Sequence, residues 1–318
     1  MRLVFMGTPE FAVPTLRALV AQGHQVCGVY TQPDRPAGRG KKLKPSAVKV
    51  AAEQLELPVF QPERIKIPEA IEQLRELVPE VIIVVAYGQI LSSDILKLPP
   101  KGCINVHASL LPKYRGAAPI HWVIMNGETE TGVTTMLMDK GLDTGDMLLK
   151  AVYPISEEAT TGEIEPSLAH LGAELLLKTL DHLERGILVP EPQVGETSYA
   201  SLLKREHEEI DWTRSAREIH NQIRALNPHP GSFTTFHQEN LKIWRSGLNS
   251  ASDPSLVDSE ERVGVPGEVV RVIKEGIVLQ TGLGQILVQE VQPAGKKSMP
   301  ARDFFLGRRA QVGEILGQ

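Results

Sequence analysis

Asn105-Val106-His107 sets an amide and an imidazole two residues apart at what reads as the end of a β-strand. Side chains of an extended chain alternate, so Asn105 and His107 share one side while Val106 turns into the core. An amide N–H can hold a developing oxyanion, and an imidazole can pass protons near neutral pH. Taken alone, Asn-x-His is a weak signal, because two satisfied structural side chains would read the same. The acidic, glycine-punctuated run from Asp139 to Asp146 strengthens it. Asp143, brought within reach of His107, would favour the charged ring and fix its tautomer. A hairpin turn using Asp and Gly for conformation alone is the other reading of that run. No metal is expected, since no histidine or cysteine lies near these acids in sequence. Ser109 lacks the glycine-flanked elbow of a nucleophile, so covalent catalysis is not expected either.

A second chemistry lies in Thr31 to Pro45, where Arg35, Arg39, Lys41, Lys42 and Lys44 stand against the single acid Asp34. This loop should overhang the crevice, and Gly and Pro should keep it from folding on itself until it meets a phosphate backbone. A solvated charge run is the alternative. Lys296, Lys297, Arg302, Arg308 and Arg309 form a smaller basic cluster.

Elements that could position these residues follow from hydrophobic periodicity. Leu3–Met6, Val26–Tyr30, Val81–Ala86 and Ile104–His107 read as strands, separated by helical stretches over 11–19, 47–55 and 71–78. The unbroken apolar run at Val81 fits a strand buried on both faces of a parallel sheet. The expected fold class is therefore α/β, a Rossmann-like open parallel sheet that binds ligand beyond its carboxyl edge. Gly7-Thr8-Pro9 lacks the three glycines of a dinucleotide fingerprint and reads as a tight strand-to-helix turn. Val133–Met138 and Met147–Val152 should pair across Gly141–Gly145, and a helix through Leu168 and Leu180 should close this half. Pro190 and Pro192 mark a linker. Beyond it, a helix at 215–226 and short strands at 232–236, 241–244, 269–273, 277–280 and 285–291 suggest a small OB-like β-barrel. Asn249–Glu261 reads as a loose polar loop.

The bulk numbers agree with two soluble domains: 318 residues, 42% hydrophobic and 23% charged. A net charge of -5 argues against a protein that is basic throughout, so any nucleic-acid contact must be local. Cys27 and Cys103 make neither a disulfide framework nor a zinc site, and read as small buried hydrophobes. With no export layout at Met1–Phe5 and no apolar run near the ~20 residues that span a bilayer, a cytoplasmic chain without membrane contact is expected. No broad apolar surface stripe stands out, so a monomer is expected.

Together these segments resemble the methionyl-tRNA formyltransferase family. The resemblance runs nearly end to end, through Gly7-Thr8-Pro9-Glu10-Phe11, the 31–42 loop, Val85-Ala86-Tyr87-Gly88, Ile104–His107, Ser109-Leu110-Leu111-Pro112, Arg115–Pro119, Gly141–Asp146, Ile210-Asp211-Trp212 and Gln292–Lys297. It implies a formyltransferase domain over 1–188, a linker over 189–205 and an OB-like tRNA-binding domain over 206–318. It implies Asn105, His107 and Asp143 as the catalytic set. It places 10-formyltetrahydrofolate, as co-substrate, near Gly88, Gln89, Ile90, Leu91, Ser109, Leu110, Leu111 and Pro112. It sets Arg35, Arg39, Lys41, Lys42, Lys296 and Lys297 against methionyl initiator tRNA. Direct acyl transfer through a tetrahedral intermediate is the expected reaction. A formyl-folate enzyme acting on a small amine, such as glycinamide ribonucleotide or an amino-sugar, is the nearest alternative. A noncatalytic RNA-binding protein and a formyl-folate hydrolase are more distant ones. The chain departs from the family at Gly162–Pro166, expected to be a helix start, where proline is tolerated.

Overall fold

The computed structural model describes residues 1–37, 42–248 and 264–318. Arg39, Lys41 and the polar stretch Asn249–Glu261 lie outside the described residues, as does the Lys42 side chain. The chain forms two units, one of 1–119, 130–154 and 165–200, the other of 120–129, 155–164 and 201–318.

The first unit begins with β1 (Arg2–Gly7), α1 (Val13–Ala21) and β2 (Gln25–Tyr30). The basic loop follows, and here the structure corrects the sequence reading: β3 (Arg35–Ala37) pairs antiparallel with β4 (Lys42–Lys44), so the loop does fold on itself. Proline at position 36 is compatible with a strand that is an edge on one side. Next come α2 (Ala47–Gln54), capped by Ser46, whose hydroxyl accepts from Lys49 N, then β5 (Val59–Phe60) and α3 (Pro68–Glu76). β6 (Val81–Val85) is buried at every residue. After α4 (Ser93–Leu96) come β7 (Cys103–His107), the two-residue β8 (Arg115–Gly116) and α5 (Pro119–Met125), which belongs largely to the second unit.

β9 (Glu130–Leu137) and β10 (Met147–Pro154) form the expected antiparallel pair. The sheet order is β10-β9-β7-β6-β1-β2-β5. The sheet is therefore mixed: its middle and one flank are parallel, while β9 runs antiparallel to β7. Strand order reverses between β1 and β6, and an open α/β sheet offers its crevice at such a switch point. Val4, Met6, Tyr30, Ile82, Val84 and Leu74 pack into one core beside it.

α6 (Thr161–Glu184) begins five residues before Pro166, so Pro166 lies inside the helix rather than in its first turn. Pro166 offers no N–H to the preceding turn. Thr160 and Glu163 stabilise the entry by exchanging hydrogen bonds: Thr160 N donates to the Glu163 carboxylate at 2.8 Å and Glu163 N to the Thr160 hydroxyl at 3.3 Å. The segment expected as a linker folds onto the first unit, through a bridge from Glu191 to Met147 and through β11 (Tyr199–Ala200), which pairs parallel with β8.

In the second unit α7 (Ala216–Ala225) starts at a Ser215/Glu218 capping box and lays Ile219 and Ile223 on the core. The strands β12 (Ser232–Phe236), β13 (Glu239–Leu248), β14 (Val269–Ile273), β15 (Gly276–Gln280), β16 (Gln285–Pro293) and β17 (Met299–Pro300) lead to α8 (Ala301–Gly307). They run in the order β12-β13-β16-β15-β14, with β17 on β16. Residues 313–317 then bond to both outer strands: Val269 N donates to Glu314 O at 2.8 Å, and Gly317 N to Thr235 O at 2.9 Å. An irregular segment thus joins the ends of the strand path, giving the barrel-like β domain. No helix among the described residues is long and apolar enough to cross a membrane.

Candidate active site

β7 delivers Asn105 and His107 to one side of the sheet, as alternation requires, and both side chains are buried. The β9–β10 loop leaves the sheet level with the start of β7, where Leu137 lies opposite Ile104, and folds back over these two residues. Asn105 Nδ2 lies 3.4 Å from Asp143 Oδ1, and His107 Nδ1 lies 3.7 Å from Asp143 Oδ2. The first is a long hydrogen bond; the second is ion-pairing distance, too long for a hydrogen bond. Gly116 N makes the tighter contact, donating to Asp143 Oδ2 at 2.8 Å.

Two acids divide the work of this loop. Asp139 accepts from Gly141 N at 2.9 Å and from the Thr144 hydroxyl at 2.7 Å, which is the turn chemistry that Asp commonly supplies. Asp143 is then free to face β7, from a left-handed backbone at φ 54 that few residue types besides Gly, Asn and Asp adopt easily. Gly145 permits the fold-back, since a Cβ there would sit 1.8 Å from Leu137 O.

The tautomer of His107 is set by a group that sequence reasoning missed. His107 Nε2 lies 2.9 Å from Tyr114 O. A carbonyl only accepts, so Nε2 carries the hydrogen, and the neutral ring turns its unprotonated Nδ1 toward Asp143. The expectation that Asp143 fixes the tautomer is corrected accordingly. The Ser109 hydroxyl also donates into this turn, to Lys113 O at 2.7 Å, and it is fully buried.

Of the residues expected around folate, several spend their side chains on the protein. Gln89 accepts from Ile65 N at 2.7 Å and donates to Pro62 O at 3.1 Å, which braces the loop after β6. Leu91 and Leu111 are buried, while Leu110 and Pro112 are half-buried. Gly88 and Ile90 remain exposed at the end of β6, beside the switch point. There the Thr8 hydroxyl and the Gln32 amide both donate to Tyr87 O, at 2.8 and 3.2 Å, which fits a tight structural turn after β1.

Among the basic residues, Arg35 is exposed and paired with Glu63 at 3.3 Å. Lys296 and Lys297 are exposed in the turn after β16. Neither cysteine is poised as a nucleophile: burial pushes the Cys103 thiol up to about 12 and also raises Cys27. Among the described residues no set of three His, Cys, Asp or Glu gathers as metal ligands.

Sequence reasoning also missed Arg115, Gly116 and Gln193 as contributors. Gly116 supplies a main-chain N–H, while Arg115 and Gln193 act through side chains whose partners lie far apart in sequence.

Comparison with known proteins gives this geometry a family. Residues 1–180 match the formyl transferase model, and residues 202–309 match the formyl transferase C-terminal domain. Methionyl-tRNA formyltransferase of Moorella thermoacetica is 54% identical, over all of this chain and 99% of its own. The protein of that name from Pelotomaculum thermopropionicum is 52% identical, again over all of this chain and 99% of its own. An N-formyltransferase from Helicobacter canadensis, solved with folinic acid and dTDP-3-aminofucose, superposes with a TM-score of 0.64 at 21% identity. That match covers 91% of this chain and 99% of the other, and it shows the shared fold. The chain belongs to the formyl transferase family and, within it, to the methionyl-tRNA formyltransferases.

Proposed function

We propose that this chain transfers the formyl group of 10-formyltetrahydrofolate to the α-amine of methionine on initiator tRNA, as a cytoplasmic monomer. The observation that carries the mechanism is the convergence of Asn105, His107 and Asp143 on one side of β7. The crevice at the switch point, with exposed Gly88 and Ile90, supports folate binding there. The charge of the 31–45 segment and of Lys296 and Lys297 supports tRNA binding, with 1–188 as catalytic domain, 189–205 as connection and 206–318 as tRNA-binding domain.

The neutral methionyl amine attacks the formyl carbon, a C–N bond forms, and the carbonyl oxygen becomes an oxyanion. Asn105 Nδ2 has a second hydrogen, free of Asp143, to donate to that oxygen. His107 Nε2 is held by Tyr114 O, so Nδ1 is the ring position that takes the proton from the amine. The ring is then an imidazolium facing the Asp143 carboxylate, and it passes the proton to the folate nitrogen as the old C–N bond breaks. His107 therefore helps the oxyanion only in its charged form.

The test is to mix the protein with labelled 10-formyltetrahydrofolate and methionyl initiator tRNA and to follow the formyl carbon. Label on the tRNA-borne methionine is expected. Label on a small amine alone would move the chain to the sugar or nucleotide enzymes, and free formate would make it a hydrolase.

A further inference from the structure

Gln193 sits in the segment after α6 and makes four hydrogen bonds through its side-chain amide. Its Oε1 accepts from Arg115 Nε at 3.0 Å and Arg115 Nη2 at 2.7 Å. Its Nε2 donates to Asp143 O at 2.8 Å and to Gly145 O at 2.8 Å. Both amide hydrogens and both lone pairs are therefore used. A guanidinium only donates, so Arg115 fixes which end of the amide faces it, and the NH2 must face the loop. Arg115 is 9% exposed, so its fork is itself held in place.

The same segment grips the other side of the site. Ser198 accepts from Arg115 N at its carbonyl and from Tyr114 N at its hydroxyl, both at 2.9 Å. Ala200 O accepts from Ala117 N at 2.9 Å. Tyr114 carries the carbonyl that holds His107, and Gly116 carries the N–H that holds Asp143. One strap, residues 191–200, thus fixes the partners of both groups, and Gln193 is the only point where it holds the Asp143 loop through a side chain among the described residues.

We propose that Gln193 is a positioning residue for formyl transfer, which sets the Asp143 carboxylate against His107 and Asn105 without touching substrate. The proposal rests on the reading above that those three groups do the chemistry. Gln193→Glu separates positioning from folding. It keeps the shape and gains an ionic partner in Arg115, but it loses both donors and turns a carboxylate toward the Asp143 and Gly145 carbonyls. A displacement of about 1 Å at a reacting group costs roughly 10²-fold. The expected result for Gln193→Glu is thus a kcat lower by about one to two orders of magnitude, with both KM values and the melting temperature little changed. Gln193→Ala should behave alike and serves if the Glu variant does not fold.

The second readout is amide hydrogen exchange, which needs no substrate. Gly116 N–H and the 139–146 amides should exchange faster in both variants than in wild type. Wild-type kcat in a folded variant overturns the proposal, and so does a lowered kcat with Gly116 protection unchanged. Should the wild-type chain form no formyl-methionyl-tRNA, the functional reading falls. The exchange result would still decide whether Gln193 holds the loop.

Discussion

Asp143→Asn tests the electrostatic half of the mechanism. The substitution keeps the shape of the side chain, and an Asn oxygen can still accept from Gly116 N, which lies 2.8 Å from Oδ2. Asn also tolerates the left-handed backbone at φ 54, so the loop should keep its course. What is lost is the charge facing the ring, together with the long bond from Asn105 Nδ2, because the Asn NH2 would then stand where Oδ1 accepts it. At the 3.7 Å separation, and with an effective dielectric constant of about 20, two opposite unit charges attract by about 4.5 kcal/mol, the upper limit of what this carboxylate can lend an imidazolium formed during the reaction. Asp143 is only 12% exposed, so solvent screens little of this. If the ring is charged when the formyl group moves, the barrier rises by up to that amount, and turnover falls by more than about tenfold and up to about three orders of magnitude. The assay is single-turnover formylation with labelled formyl-folate, with a melting curve on the same sample. A variant that melts like wild type and loses less than about tenfold in rate would refute the reasoning.

Four further outcomes are expected. Asn105→Ala should lower turnover by about two to three orders of magnitude, the usual effect of removing one oxyanion donor, as steady-state kinetics on folded enzyme would show. Neutralising Arg39, Lys41 and Lys42 together should weaken tRNA binding and flatten its salt dependence while leaving folate affinity unchanged, which filter binding across a salt series can read. Cys103, its thiol pushed up to about 12 by burial, should resist alkylation of the native protein and react on unfolding, with mass spectrometry as the readout. Burial also lowers His24, His121 and His220 below the ordinary value of 6.5. The unfolded chain binds these protons first, so the stability they contribute is complete above about pH 6.5 and declines as pH falls below it. His220 faces the Ser246 hydroxyl, Glu157 O and, at 3.9 Å, Glu158, with Arg217 and Arg224 nearby. Replacing it with Gln should reduce the acid-side slope of the melting temperature.

The elements most legible in sequence were those whose pattern is local. The β-branched run of β6, the strand end at Asn105 and His107, the β9–β10 pair and the helix at 215–226 announce themselves through periodicity. The convergence of Asp143 on β7 was readable only as a possibility, because a hairpin turn uses the same residues. The structure shows both readings in one loop, with Asp139 making the turn and Asp143 facing the site. Main-chain contributions stayed hidden. Tyr114 offers a carbonyl and Gly116 an N–H, groups that every residue type but proline carries alike. The same holds for the strap: Ser198 O and Ala200 O leave no signature, and two prolines nearby suggested a spacer instead. Pro166 was misjudged because the true start of α6 depends on the Thr160/Glu163 exchange rather than on the proline.

Residues 313–317 give the β domain a seam. Among the described residues the other joints of that ring are antiparallel strand ladders, whereas here a few irregular bonds tie β14 to β12. A sheet with unjoined rims invites another polypeptide to extend it. In this domain the chain's own backbone occupies both rims: residues 313–317 bond to β14 and to the end of β12, and residues 208–210 bond to Phe233 at its start. Lesions there should make the domain sticky before they make it unfold.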